Sequence, residues 1–306
     1  MSDVLSMMPA AATPKIAGPG RRSHSRMRLY ARRFRRNKPA VVGVAIFVLL
    51  VLVAVIGPRI ARYSISEIDF LALAQPPGGT HWFGTNQTGL DLYAMTVHGL
   101  GRSMIIAVAV SLLTLLIASF LGALAAYMGG WVEKIILGVI NFILVMPLFL
   151  LEALVAQKTG GNWLWLIVVL TAFGWMVMAR VIWQLSTSIR EREYIAAARY
   201  MGVRGVVVVF RHMIPNIGSL LVVQFTLGIV STVMSETALS FLGFGIKIPD
   251  VSLGSMLIDG QSVLTTTPWA FFFPAGTMTL LTISVALMAD GLRDALDPNS
   301  AAGGRA

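Results

Sequence analysis

The sequence predicts an all-α, polytopic membrane protein with six transmembrane helices, and three observations support this class. The 306 residues are 56% hydrophobic and only 12% charged, with a mean hydropathy of +0.77, which excludes an ordinary soluble domain. A helix that crosses a bilayer needs about 20 largely apolar residues, and six stretches meet that need. Lys and Arg are also distributed unequally between the two sides that these stretches would separate.

Both termini are predicted to be cytoplasmic. With that threading, the inside segments carry 18 Lys and Arg residues, the outside segments carry five, and Arg180 lies within the fourth stretch. Cytoplasmic loops carry an excess of Lys and Arg, so this asymmetry fixes the orientation. The six apolar stretches are residues 40–60, 104–128, 135–156, 163–184, 217–239 and 269–289.

Residues 1–38 are predicted to be a disordered, basic, cytoplasmic N-terminus that precedes a first transmembrane helix over 39–62. The first 20 residues are rich in Ala, Pro, Gly and Ser and have no apolar period. Residues 21–38 carry nine Lys and Arg directly before the apolar stretch, which favours contact with anionic lipid over a merely solvated charge run. The basic residues that give the net charge of +10 are thus concentrated beside the membrane and not spread over a folded surface. We therefore expect no nucleic-acid partner.

Residues 63–103 are predicted to form an extracytoplasmic segment, with a short interfacial helix over 92–97, and residues 104–289 the transmembrane core. Pro147 should kink the third span. Glu152, Arg180 and Glu236 each lie within about two turns of an interface, so we expect them to reach water by snorkelling. The chain has no cysteine and four scattered histidines, so no metal site is predicted.

A polar insert, residues 190–216, separates the fourth and fifth apolar stretches, and its residues favour helix. Glu193 provides negative charge where a helix N-terminus prefers it, and Gly202 stands where a helix can end with a left-handed residue. The insert predicts two short helices hinged at Gly202, suited to docking a partner protein. An ordinary basic cytoplasmic loop is the alternative.

The order and spacing of residues in this insert closely resemble the coupling-loop motif of ABC-type importer permeases, in the form of the dipeptide/oligopeptide permease family. The resemblance implies short helices that dock on a separate ATP-binding subunit. Ala196 departs from many permeases outside the peptide group, which carry glutamate there. The residues expected to couple to the ATPase are Glu193, Tyr194, Ala197, Ala198, Arg199, Gly202, Arg211, His212 and Pro215.

Two further stretches, residues 81–103 and 236–257, resemble motifs of the same family, and the second resembles the second of its two permease subunits. Asn86 and Leu90 depart from the first motif, where the family has an aspartate and an arginine, which indicates a paired loss. We expect these stretches to form an extracytoplasmic gate or binding-protein docking site, or alternatively a structural cap. The residues are Gly84, Thr85, Gly89, Asp91, Arg102, Glu236, Ser240, Phe241, Gly243 and Pro249.

The C-terminal tail, residues 290–306, also resembles the family's tail through Pro298 and is expected to be cytoplasmic. The resemblance implies the type I ABC importer permease fold in a bacterial cytoplasmic (inner) membrane. It implies as partners a second homologous permease subunit, two ATP-binding subunits or domains, an extracytoplasmic substrate-binding protein and membrane lipid.

The chain is predicted to be a transport subunit for dipeptides or oligopeptides and not an enzyme. It contains no Gly-Lys pair and hence no P-loop, so ATP and Mg should belong to partner ATPase subunits, with no cofactor and no catalytic residue here. Some permeases related to this family transport nickel, haem or glutathione, so these cargoes are alternatives to peptides. A secondary transporter would need an internal repeat or mid-membrane ionisable residues, and a membrane enzyme would need a paired nucleophile and base; the sequence shows neither.

Overall fold

A computed structural model describes residues 23–296, and helices dominate this range. The expectations for the first 22 residues and for the tail after Leu296, which includes Pro298, lie outside the described residues. The α-helices of the described range are α1 Ser23–Arg36, α2 Lys38–Ile60, α3 Leu92–Met128, α4 Gly130–Leu144, α5 Leu148–Ala156, α6 Trp163–Arg190, α7 Glu193–Tyr200, α8 Gly205–Val208, α9 Gly218–Phe241, α10 Leu253–Ser262 and α11 Trp269–Leu296.

The helices agree with the predicted all-α membrane class. Within residues 23–296, five helical stretches are long and apolar enough to cross a membrane, and the count is six if α4 and the segment Leu148–Thr159 form one span. These two segments are bent by 80° at the break before Pro147. Proline has no N–H for the helix ladder and its ring clashes with the preceding turn, so the predicted kink is confirmed as a full break.

The prediction of disorder over residues 1–38 is wrong for Ser23–Arg36, which form α1. The helix packs on α11, where the ring of Phe34 lies beside Gly291. Asn37 then links α1, α2 and α11: its Nδ2 donates to Asp294 Oδ2 at 3.0 Å, and its Oδ1 accepts from the Ala40 N–H at 3.2 Å. The high charge of this segment led to the prediction of disorder, but the segment is an amphipathic helix that contact with α11 stabilises.

Helix α3 is the centre of the fold and packs against α2, α4, α6, α9, α10 and α11. The separate short helix expected over 92–97 is instead its first turns, because Asp91 caps the helix at Leu92. Its closest neighbour is α6. At their crossing a Cβ on Gly122 would lie 2.5 Å from the Ala179 carbonyl oxygen, so only glycine permits this approach. Close contact through small residues is typical of helices packed in a membrane.

Candidate functional site

The insert over 190–216 forms short helices on either side of Gly202, as predicted. Helix α7 ends in a Schellman motif, in which the Val203 N–H donates to the Ala198 carbonyl at 3.1 Å and the Gly202 N–H donates to the Arg199 carbonyl at 3.0 Å. Gly202 adopts φ +73°, which glycine tolerates best. The chain resumes as α8 and runs through a π turn, Val209–Met213, and a 3₁₀ turn, Ile214–Ile217, into α9.

One face of α7 attaches the insert to the transmembrane helices. Ile195 and Ala198 are buried, and they belong to an apolar cluster that includes Tyr127 at the end of α3 and Val208 and Met213 after Gly202. An eight-residue helix is too short to be stable alone in water. The position of α7 therefore depends on this contact with the core.

Two arginines join the insert to the last carbonyls of α3. Arg190 donates from Nη1 to the Ala126 carbonyl at 2.9 Å, and Arg199 donates from Nη2 to the Tyr127 carbonyl at 3.2 Å. The Arg199 guanidinium also lies 5.1 Å from the centroid of the Tyr127 ring. Cations at a helix C-terminus satisfy free carbonyls and complement the helix dipole. Arg199, expected to contact the ATPase, thus contacts α3.

Tyr127 also explains a glycine in the insert. A Cβ on Gly205 would lie 2.6 Å from a carbon of the Tyr127 ring, well inside van der Waals contact. The ring is thereby enclosed between the Arg199 side chain and the start of α8. Tyr127 was not predicted from the sequence, although its position at the end of an apolar stretch, just before Gly129 and Gly130, was an available signal.

The remaining predicted coupling residues divide into a polar group and exposed positions. The Asn216 amide donates to the Tyr194 hydroxyl, and the Tyr194 and His212 rings lie 6.5 Å apart. Glu193, Ala197, Arg211 and Pro215 are exposed.

Beside Gly202 the insert also presents two exposed apolar side chains. Tyr200 is 89% exposed and Met201 is 76% exposed. We call this pair the tip. Neither was predicted as a coupling residue, although apolar residues within a polar insert were a visible signal. Exposed apolar groups beside a folded anchor are typical of a protein-binding surface.

A first cluster surrounds Asp91, which caps α3 by accepting from the Ala94 N–H at 2.7 Å. We call this cluster and the one around Glu236 the outer clusters, because both lie in stretches predicted to be extracytoplasmic. Its other oxygen lies 2.9 Å from Nδ1 of the buried His81, whose ring stacks on Tyr63 at 4.4 Å. Gly84 and Gly89, with φ of +76° and +84°, supply the turns that bring Asp91 to this place. The structure thus makes Asp91 a capping and pairing residue.

Thr85 is the second centre of this cluster. Its hydroxyl donates to the Ala72 carbonyl and accepts from the Gln75 N–H at 2.8 Å, and its carbonyl accepts from Trp269 Nε1 at 3.0 Å. Trp269 begins α11, so Thr85 fastens residues 63–91 to the last membrane helix. The side chain of Thr85 is fully buried, which indicates a structural role.

The paired departure at Asn86 and Leu90 is accommodated within one turn. The Asn86 Oδ1 accepts from the backbone N–H groups of Thr88 at 3.0 Å and Leu90 at 2.8 Å. The Asn86 N–H in turn donates to the Leu90 carbonyl at 3.0 Å. Hydrogen bonds from two backbone N–H groups to one amide side chain thus close this turn without an aspartate–arginine pair.

A second outer cluster surrounds Glu236. Its Oε1 accepts from the hydroxyls of Ser240 at 3.0 Å and Ser252 at 2.6 Å, and Ser252 is also the N-cap of α10. A Cβ on Gly254 would lie 2.6 Å from Oε2, so glycine admits the carboxylate to the first turn of α10. The snorkelling expected of Glu236 is wrong, because the side chain is 1% exposed and is held by these hydroxyl groups and the helix N-terminus.

The outer half of α3 connects the two clusters. Ser103 accepts from the Leu253 N–H at 3.1 Å, and Arg102 donates from Nη2 to Asp250 Oδ1 at 2.5 Å. The Arg102 guanidinium lies 4.2 Å from the centroid of the Trp163 ring at the start of α6. Asp250 was missed by the sequence analysis, because its pairing with Arg102 spans 148 positions.

The last predicted outer residues lie at the end of α9. Phe241 is its final residue and is exposed. Gly243, at φ +79°, ends the helix: the Phe244 N–H donates to the Leu239 carbonyl at 2.9 Å. Pro249 is exposed in the connection to α10. These three residues shape the turn and lie apart from the contacts around Glu236.

A cavity of about 260 Å³ opens between α3, α5, α6 and α9. Glu152 lies in its wall, and the snorkelling expected of this residue is also wrong, because its side chain is 9% exposed and faces the cavity. Arg180, by contrast, is exposed on α6. The other polar residues of the wall are Ser111, Thr114, Gln224, Ser231, Thr232 and Ser235.

Known proteins are similar in sequence to this chain over most of its length. Residues 118–301 match the family described as "Binding-protein-dependent transport system inner membrane component", and residues 25–77 match "N-terminal TM domain of oligopeptide transport permease C". The chain is 44% identical to "Oligopeptide transport system permease protein OppC" of Mycobacterium bovis, over 90% of this chain and 96% of that protein.

Two Bacillus subtilis proteins are also similar. The identity is 35% to "Oligopeptide transport system permease protein OppC", over 87% of both chains, and 34% to "Dipeptide transport system permease protein DppC", over 87% of this chain and 84% of that protein. Matches of this length and identity cover the insert, both outer clusters and the cavity walls. The chain therefore belongs to the family of binding-protein-dependent transport system inner membrane components, as a non-catalytic permease subunit of the oligopeptide permease C type.

Proposed function

We propose that this chain is one of two homologous permease subunits of an ATP-driven importer of dipeptides or oligopeptides. It spans the bacterial inner membrane with both termini in the cytoplasm. Two ATP-binding subunits or domains bind and hydrolyse ATP with Mg, and an extracytoplasmic binding protein delivers the peptide. The names of the relatives, which specify oligopeptide or dipeptide transport, favour peptides over nickel, haem or glutathione.

One observation carries this proposal: a single helix, α3, joins the insert to the cavity. Its last carbonyls accept from Arg190 and Arg199, while Ser111 and Thr114 in its middle line the cavity. The helix is continuous over 37 residues. A partner that binds the tip and moves α7 would therefore also move a wall of the cavity.

The transport cycle follows from that connection. When ATP draws the two ATPase subunits together, each subunit displaces the insert that it binds, and α3 moves with the insert. Two permease subunits that move in opposite directions open the cavity outward, where the binding protein releases its peptide. Hydrolysis reverses the movement. This chain makes and breaks no covalent bond in the cycle.

The outer clusters serve as a rigid platform in this scheme. Asp91, Thr85 and Glu236 are buried and hydrogen-bonded, so they hold residues 63–91 and α10 in place rather than contacting the peptide. The binding protein docks on the exposed surface that these residues support. Hydrogen bonds between buried polar groups, such as those that Glu236 Oε1 accepts, are suited to such a role because they make the supported surface rigid.

Purification of the chain from its native membrane with a C-terminal tag, in mild detergent, tests the proposal. We expect a second six-span permease and a P-loop ATPase to co-purify, and the bound binding protein to identify the peptide class. Recovery of this chain alone, stable and monodisperse, would refute the importer assignment.

The tip variant Met201→Asp refines that test. A charge at this exposed position should not disturb folding, yet it should reduce the recovered ATPase at least about tenfold if the tip is buried at the interface. Leu71→Asp, at a fully exposed position in residues 63–91, is the matched control and should leave ATPase recovery unchanged. Equal recovery with both variants would contradict docking at the tip.

A further inference from the structure

The carboxylate of Glu152 has no partner among the residues that the structure describes. Its side chain is 91% removed from solvent, and among residues 23–296 no hydrogen bond or ion pair reaches it. Two other charged side chains of the membrane helices have partners: Glu236 accepts from two hydroxyls through Oε1, although its Oε2 has no hydrogen bond within the described residues, and Arg102 pairs with Asp250. The carboxylate borders the cavity between the membrane helices, where little water competes for it, so a group that enters the cavity from outside this chain should complete the site.

The surroundings of Glu152 narrow the chemistry of that group. Among the described residues that line the cavity, Glu152 is the single charged one, and no Lys, Arg or His is among them. Metal ions of the calcium or magnesium class prefer several oxygen ligands from carboxylates and carbonyls, which one carboxylate does not provide. A single carboxylate in a mostly neutral wall is suited to one organic cation, such as an ammonium group.

Helix α9 presents a complementary row of neutral polar groups to the same cavity. Gln224, Ser231 and Ser235 recur at helical spacing along one face, with Gly228 between them. No hydrogen bond occupies their side chains within the described residues. Amide and hydroxyl groups donate to and accept from peptide bonds whatever the side chains of the peptide.

We propose that Glu152 binds the α-ammonium group of the transported peptide, while Gln224, Ser231 and Ser235 hydrogen-bond to its backbone. This inference rests on the proposed function as a peptide permease. Every unmodified peptide has an α-ammonium group and a polar backbone, so such a site accepts many sequences. At about 260 Å³ the cavity is smaller than typical ligand pockets, as expected when a second permease subunit supplies the opposite wall.

The test compares the uptake of two peptides into proteoliposomes that contain the complete complex, with the binding protein saturated by the peptide under test. Trialanine has the α-ammonium group, and N-acetyl-trialanine lacks it. For each peptide the uptake by Glu152→Gln is divided by the uptake by the unmodified complex, so any preference of the binding protein cancels. We expect trialanine uptake to fall about tenfold or more, the scale of a charge-assisted hydrogen bond, and N-acetyl-trialanine uptake to stay within about twofold.

Two matched variants control for charge and folding. Glu152→Asp keeps the carboxylate and should retain most trialanine uptake, whereas Glu67→Gln neutralises an exposed carboxylate and should change neither peptide. Equal loss of both peptides with Glu152→Gln would overturn the proposal, because it would assign Glu152 to contact with the second permease. No loss of either would also overturn it. A complex that transports neither peptide before substitution would instead refute the proposed function, on which this site depends.

Discussion

The attachment of α7 to the core can be tested at Ile195. This side chain is 1% exposed and is the largest buried residue of an eight-residue helix. Ile→Ala at a buried site costs about 2–5 kcal/mol. Because α7 has little other buried surface, we expect the cost to appear as local detachment of α7 and not as unfolding of the membrane helices.

Hydrogen exchange measures that detachment directly. Each 1.4 kcal/mol is a factor of ten, so the lower limit of the cost predicts that amide protection over 193–200 falls at least about 30-fold. Protection in α3 and α6 should not change. ATP hydrolysis in the assembled complex should become uncoupled, with less peptide transported per ATP.

Tyr200→Ala is the control, since it shortens an 89% exposed residue of the same helix and should leave exchange over 193–200 unchanged. Unaltered protection of α7 in Ile195→Ala would refute the reasoning. It would mean that Arg199 and the Gly202 turn suffice to hold the helix on α3.

Three further predictions concern the stability of the full chain, measured by thermal unfolding in detergent. Gly205→Ala places a methyl group 2.6 Å from the Tyr127 ring and should cost about 1–3 kcal/mol; a Tm equal to that of the unmodified protein would show that the ring moves freely. Asp91→Ala removes the α3 cap and the partner of buried His81, so it should lower the free energy of unfolding by about 2–4 kcal/mol. A decrease below about 0.5 kcal/mol would contradict the pairing of Asp91 with His81. Arg102→Lys loses its stacking on an aromatic ring and should lower Tm by about 2–4 °C, whereas an unchanged Tm would rule out a stabilising contact.

Local signals in the sequence were sufficient for the spans and the helix ends. Apolar runs about 20 residues long, bounded by charge, locate membrane helices because the bilayer imposes that length. Gly202 was identified as a helix end from glycine alone, and it adopts positive φ. Pro147 was identified as a kink, but the 80° size of the bend was not, since it depends on how α4 and α5 pack on their neighbours.

Pairings between distant residues could not be predicted. Arg199 was expected to contact a partner protein, but its contact with Tyr127, which is 72 positions away, was not predicted. Glu152 and Glu236 were expected to reach water, yet one lies in a cavity wall and the other at the N-terminus of α10. The basic segment Ser23–Arg36 is helical because α11 offers it a surface, which composition does not reveal.

The sequence by itself determined the membrane class, the positions of the spans, the helix end at Gly202 and the family, because each depends on hydrophobicity, backbone freedom or local residue order. Only the tertiary structure decided which side chains serve as anchors, which support the outer surface and which face the cavity. The direction of a side chain depends on the helix packed against it, and that contact joins residues far apart in the chain.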